Sequence, residues 1–159
     1  GDKALEEAFR AAAAHPHVAV HIGYDEALSH RIIAGGDAIL VPSRFEPCGL
    51  TQLYGLRYGT VPIVAYTGGL ADTVIHASPM ALSSGAATGL HVHPLTEDAL
   101  RLAFLDLAAL FRDRETWTMM QTNAMAQKVG WARSAAAYAA LYRETIAAAP
   151  ANSGTPAAS

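Results

Sequence analysis

Several things are scarce in this sequence, and each scarcity excludes something. It has one cysteine, Cys48, so no intramolecular disulfide can form, and the composition suits a reducing, cytoplasmic setting. No apolar run approaches the roughly 18 residues of a membrane span, and the first residues, Gly-Asp-Lys-Ala-Leu-Glu-Glu, lack the apolar centre of a signal peptide. Lys and Arg number 11 and are scattered, which argues against a nucleic-acid surface. No D-x-D motif occurs. No glycine-rich strand-to-helix turn stands at the front, as a complete dinucleotide-binding domain would show. His15, His17 and His21, and the pair His91 and His93, have no carboxylate or cysteine at useful spacing, so no metal site is expected.

What is present alternates. The stretch 2–14 has helical periodicity, with Leu5, Ala8 and Phe9 on one face and His15-Pro16 as its stop. Val18 to Ile22 alternates like a short strand, and Glu26 to Ala34 reads as a second helix ending near Gly35-Gly36. Asp37 to Val41 is a continuous apolar run, the mark of a parallel strand covered on both faces. Pro42 to Cys48 is a loop, followed by a helix from about Gly49 to Tyr58 that Gly59 closes. Pro62 to Val64 and Thr88 to Val92 are further strands, which makes about four in all. Leu70 to His76 fits either a helical turn or an edge strand, and Ser78 to Ala87 reads as a loop of small residues. After Pro94 the pattern is helical, over 96–111, 114–128 and 131–149, with Thr96 as the first cap. Met119, Met120 and Met125 with Trp117 are assigned to the core. Trp131, Tyr138, Leu141 and Tyr142 form an apolar stripe. The tail, 150–159, is rich in Pro, Ala, Ser and Gly and is expected to be disordered.

Strands alternating with helices predict an α/β fold with a partial Rossmann-like parallel sheet. Its strand count suggests that the chain begins within a domain. In such sheets ligands bind beyond the carboxyl ends of the strands. A helix that opens at Gly49, Leu50 and Thr51 presents free N–H groups and a partial positive charge there, which suits a phosphate. Glu46 stands beside it. Its carboxylate can cap the helix or face a ligand, and the residues alone leave both open. On this physics the loop holds a phosphorylated ligand next to one carboxylate.

The run Ser43-Arg44-Phe45-Glu46-Pro47-Cys48-Gly49-Leu50-Thr51-Gln52-Leu53-Tyr54 is followed by Leu56-Arg57-Tyr58-Gly59-Thr60 and then Thr67-Gly68-Gly69-Leu70-Ala71-Asp72-Thr73-Val74. It resembles bacterial glycogen synthase and plant starch synthase, which are retaining glycosyltransferases of the GT-B architecture. Ile22-Gly23-Tyr24, Ser29-His30-Arg31-Ile32 and Trp131 with Ser134, Tyr138, Leu141 and Tyr142 extend the resemblance from about Gly1 to Ile146.

The resemblance implies a C-terminal donor-binding domain over 1–130, a crossing helix over 131–149 and a tail over 150–159, with the N-terminal domain absent. It implies transfer of glucose from ADP-glucose to the nonreducing end of an α-1,4-glucan. Glu46 would contact the donor glucose as the catalytic carboxylate, and Tyr24 would stack on adenine. Cys48, Gly49, Leu50 and Thr51 would hold the distal phosphate of ADP. Cys48 itself is expected to pack at this loop rather than act as a nucleophile. Related transferases carry a second glutamate where Tyr54 stands. With no D-x-D motif, neither a metal nor another cofactor is implied.

The resemblance also places an Arg and a Lys that clamp the diphosphate ahead of Gly1, so the 159-residue chain alone is expected to be inactive. Ala65-Tyr66 stands where many relatives have basic residues. The expected partners are ADP-glucose and α-glucan, with no nucleic acid and no membrane. A homo-oligomer through the exposed sheet edge or the last helix is compatible with the pattern. The rival readings are a noncatalytic nucleotide-binding or assembly module, and a related GT-B transferase that uses UDP-glucose or sucrose.

Overall fold

The structure, a computed structural model, describes residues 2–148; the expected tail falls outside them. Asp2 caps α1 (Lys3–Ala12) by accepting from the N–H groups of Ala4 and Leu5. Asp25 caps α2 (Glu26–Gly35) through the Leu28 N–H at 2.9 Å. Strand β1 (Ala38–Val41) follows, then α3 (Thr51–Tyr58), which Gly59 ends in the left-handed conformation. Strand β2 (Val61–Ala65) is buried throughout, as a central strand must be. Two short helices, α4 (Gly68–Thr73) and α5 (Pro79–Ser83), lead to β3 (Leu90–Val92). Three longer helices finish the chain: α6 (Glu97–Arg112), α7 (Arg114–Ala126) and α8 (Trp131–Ala148).

The sheet is parallel in the order β1-β2-β3, with Ala38 opposite Val61 and Ile63 opposite Leu90. Alternation along β2 sends Ile63 toward Leu90, Val92 and Ala103 of α6, and Val64 toward Val41, Leu70 and Val74. Val61 joins Trp117 and Met120 of α7, with Ala81 and Ala87. The crossover helix α3 packs against β1, β2, α2 and α7. Thr60, buried beside it, donates to the Ile33 carbonyl at 2.6 Å and ties the end of α2 to the start of β2.

Several sequence expectations change here. Val18 to Ile22 is irregular and not a strand, because no neighbouring strand among the described residues supplies hydrogen-bond partners. The described sheet therefore has three strands, not four. β1 is an edge strand and is only partly covered, with Leu40 exposed. The segment from Ser78 to Ala87 is not a plain loop. Ser78 caps α5 through the Ala81 N–H, Pro79 occupies its first turn, and Ala81 and Ala87 are buried. Leu70 to His76 divides between both alternatives: α4 ends at Thr73, and His76 then bridges Gly89 in parallel. Met120 lies in the core as expected, but Met125 is half exposed beside Gly59. The apolar stripes of α1 (Leu5, Phe9) and α8 (Trp131, Tyr138, Leu141, Tyr142) face solvent. No described helix is long and apolar enough to cross a membrane.

One cluster gives the fold a pH dependence. His91 on β3 donates from Nε2 to the Val74 carbonyl at 2.8 Å, and its backbone N–H donates to Nδ1 of His76 at 3.1 Å. The His76 ring stacks on it, and Tyr66, itself edge-on to His93, leans against it. Burial lowers the His91 pKa from its ordinary 6.5, and the His76 charge lowers it further, against the raising effect of the Val74 hydrogen bond. A histidine with a depressed folded pKa binds fewer protons folded than unfolded. The stability it contributes is therefore full above about pH 6.5 and is lost as pH falls through the folded value. The urea midpoint is expected to fall between pH 7.5 and pH 5.5, less steeply in His91→Gln. Equal slopes in the two proteins would refute this.

Candidate nucleotide-sugar site

β1 delivers the loop 42–50 to the carboxyl edge of the sheet, and α3 leaves from it. Gly49 makes the turn into the helix at φ +74°, which an L side chain resists. A Cβ there would also collide with Oε1 of Gln52. Leu50 is the N-cap residue of α3 and offers no side-chain hydrogen bond. Among the described residues, the N–H groups of Gly49, Leu50 and Thr51 have no acceptor. The helix end is open, as an anion site requires.

Glu46 is half-buried. Its Oε2 accepts from the Ser43 hydroxyl at 3.3 Å and from no helix N–H, so the alternative of Glu46 as a cap for α3 is set aside. The first turn of α4 holds the loop, with the Gly69 N–H donating to the Glu46 carbonyl at 3.1 Å. Gly68 lies so near that a Cβ would strike the Glu46 carbonyl oxygen, and one on Gly69 would strike that of Cys48. Cys48 packs at this loop through its backbone, against Gly69, and not, as expected, through its side chain, which is exposed.

The contiguous residues Glu46, Cys48, Gly49, Leu50 and Thr51 come together in one place. Tyr24 stands apart, 92% exposed, between the irregular segment 18–22 and α2. Its neighbours Gly23 and Asp25 line a cleft of about 540 Å³ together with Thr51, but Tyr24 itself is not part of the lining. A second cleft, of about 230 Å³, lies where the three strands end, lined by Ser43, Arg44, Tyr66, Thr67 and His93. Tyr54, where the resemblance implies that related transferases have a second glutamate, leans against His30 of α2 with the rings tilted by 56° and their centroids 4.5 Å apart. His30 also meets the Tyr58 hydroxyl at 3.1 Å.

Sequence reasoning missed Gln52 and Thr73. Gln52 is wholly buried, and its side chain binds the Cys48 and Gly49 carbonyls and the Thr73 hydroxyl. The only sequence signal was a polar residue on the inner face of a short helix.

Known proteins resemble this chain in sequence and in fold. The chain is 67% identical over 132 residues to a glycogen synthase of Jannaschia sp. (strain CCS1), covering 83% of this chain and 28% of that protein. It is 61% identical over 149 residues to the glycogen synthase of Paracoccus denitrificans, covering 93% of this chain and 32% of that one. The catalytic domain of starch synthase IV from Arabidopsis thaliana, bound to ADP and acarbose, superposes with a TM-score of 0.82 at 33% identity, over 91% of this chain and 30% of that one. A sucrose-phosphate synthase from Thermosynechococcus elongatus superposes at 0.67 with 26% identity, over 92% of this chain and 35% of that one. No family model matches.

The fold is that of the matching part of the starch synthase catalytic domain, which has the GT-B architecture. In sequence the chain is similar to a stretch of the bacterial glycogen synthases, and it spans about three-tenths of the length of the relatives it matches.

Proposed function

We propose that this chain holds the donor in a retaining transfer of glucose from ADP-glucose to the nonreducing end of an α-1,4-glucan. The observation that supports this most is the uncapped end of α3, with the Gly49, Leu50 and Thr51 N–H groups unpartnered beside a carboxylate that does not cap it. The diphosphate sits on these N–H groups, and Tyr24 covers the adenine. Glu46 faces the hexose. The bond from the anomeric carbon to the diphosphate breaks, and its electron pair leaves with ADP. The acceptor hydroxyl oxygen bonds to the same carbon and passes its proton to the departing diphosphate oxygen. Fixed N–H donors at the leaving phosphate favour this charge movement, because they do not have to reorient. The Glu46 carboxylate lies where positive charge develops on the sugar. A chain with one exposed thiol and no described membrane-spanning helix suits a cytoplasmic enzyme.

Calorimetric titration of the chain with ADP, adenosine and ADP-glucose tests this. Replacing the Thr51 amide by an ester, with the hydroxy-acid analogue of threonine, removes one N–H and keeps Leu50 in its αR conformation, which a proline at 51 would disfavour. It is expected to weaken ADP by about tenfold and leave adenosine unchanged. Glu46→Gln is expected to leave ADP affinity unchanged and to remove the added affinity for ADP-glucose. Equal ADP affinity in the ester variant and the unsubstituted chain would place the phosphates elsewhere. Titration with UDP in parallel decides the donor base.

A further inference from the structure

Gln52 is wholly buried directly beneath the open helix end, and its amide is committed to one orientation. Nε2 lies 3.0 Å from the Cys48 carbonyl oxygen, 2.9 Å from that of Gly49 and 3.2 Å from the Thr73 hydroxyl. Turning the amide over would set Oε1 against two carbonyl oxygens, acceptor facing acceptor. The Thr73 hydroxyl donates to the Gly69 carbonyl at 2.5 Å, so toward Gln52 it can only accept. Oε1 is left buried without a donor among the described residues. A buried acceptor with no donor costs stability that an apolar side chain would not. Packing alone therefore does not explain a glutamine here.

The peptide plane supplies the explanation. In a trans peptide, C=O and the following N–H point in opposite directions. Drawing the Cys48 carbonyl inward turns the Gly49 N–H outward, and drawing the Gly49 carbonyl inward turns the Leu50 N–H outward. Those are two of the three unpartnered donors at the site.

We propose that Gln52 is a positioning residue for anion binding: by holding the Cys48 and Gly49 carbonyls, it aims the Gly49 and Leu50 N–H groups at the distal phosphate of a nucleoside diphosphate. This rests on reading the end of α3 as the phosphate site. The same side chain reaches the carboxylate side of the site. Gln52 binds Thr73, Thr73 binds the Gly69 carbonyl, and the Gly69 N–H binds the Glu46 carbonyl. One buried amide thus sets the spacing between the phosphate donors and the loop that carries Glu46.

The test combines ADP and adenosine calorimetry with backbone amide relaxation in the 159-residue chain. Gln52→Met keeps the side-chain length and removes both donors. It is expected to weaken ADP at least about tenfold with adenosine unchanged, because two oriented donors are lost. The Gly49 and Leu50 amides should become mobile while α7 stays rigid. Gln52→Glu should bind ADP more weakly still at pH 7.5, since an ionised carboxylate donates nothing and repels both carbonyls. In the unsubstituted chain the Gln52 side-chain NH2 protons should resist exchange, a readout that needs no variant to fold.

Rapid exchange of those protons would overturn the proposal. So would Gln52→Met with unchanged ADP affinity and unchanged rigidity at Gly49 and Leu50. If the unsubstituted chain binds no ADP while Gln52→Met still loosens those two amides, the positioning role stands and the phosphate reading falls.

Discussion

Gly69→Ala is expected to abolish measurable ADP binding and to destabilise the chain by about 1–3 kcal/mol, the usual cost of forcing extra atoms into a packed site. The added Cβ would meet the carbonyl oxygen of Cys48 and lie 2.7 Å from its carbonyl carbon and its Cα. All three are backbone atoms, so no rotamer change relieves the collision. Either the turn at 67–69 or the loop at 46–49 must move. If the turn moves, the Gly69 N–H loses the Glu46 carbonyl and the Gly69 carbonyl loses the Thr73 hydroxyl. If the loop moves, the Cys48 carbonyl leaves Gln52. Either way the N–H groups of Gly49 and Leu50 lose their aim. Urea unfolding and ADP calorimetry on one preparation check both effects. A variant with unchanged affinity and midpoint would mean that the turn does not brace the loop.

Trp117→Ala is expected to leave the chain largely unfolded at 25 °C. The side chain is 2% exposed, and its ring meets Phe111 edge-on at 5.1 Å between centroids. It fills the space between α7, β2 and the α5 region with Val61, Met120, Ala81 and Ala87. Removing a buried tryptophan costs about 3–5 kcal/mol, against a total of about 5–15 kcal/mol for an ordinary domain. This domain has less to spare, since α1 and α8 contribute no buried residue. Trp131 provides the control. It is 81% exposed, so Trp131→Ala should change stability by no more than about 0.5 kcal/mol. Far-ultraviolet circular dichroism during heating separates the two. A Trp117→Ala chain that melts with the midpoint of the unsubstituted one would contradict the core described here.

Most helix positions were readable from residues close together in the chain. Asp2, Asp25, Thr96 and Asp113 each accept a backbone N–H within three residues, and that chemistry is visible in any window of the sequence. β2 was readable because every residue in it is buried. The alternation of Val18 to Ile22 misled for a related reason. Alternation reports a backbone suited to pairing, and pairing needs a second strand that local sequence does not supply. In 78–87 the small residues concealed α5, whose support comes from contact of Ala81 and Ala87 with Trp117 and Val61, far off in sequence.

The site divides along the same line. The order of residues from Glu46 to Thr51 determined by itself that a carboxylate precedes a glycine-led helix start, because a turn and a helix end depend on neighbouring φ and ψ angles and on side chains within hydrogen-bond reach. Only the tertiary structure decided that Glu46 leaves the helix end open, that Gly68 and Gly69 brace the loop, and that Gln52 reaches Thr73. Those contacts join residues about twenty positions apart. They exist because parallel pairing of β1 with β2 sets the start of α4 beside the start of α3, and no local preference encodes that distance.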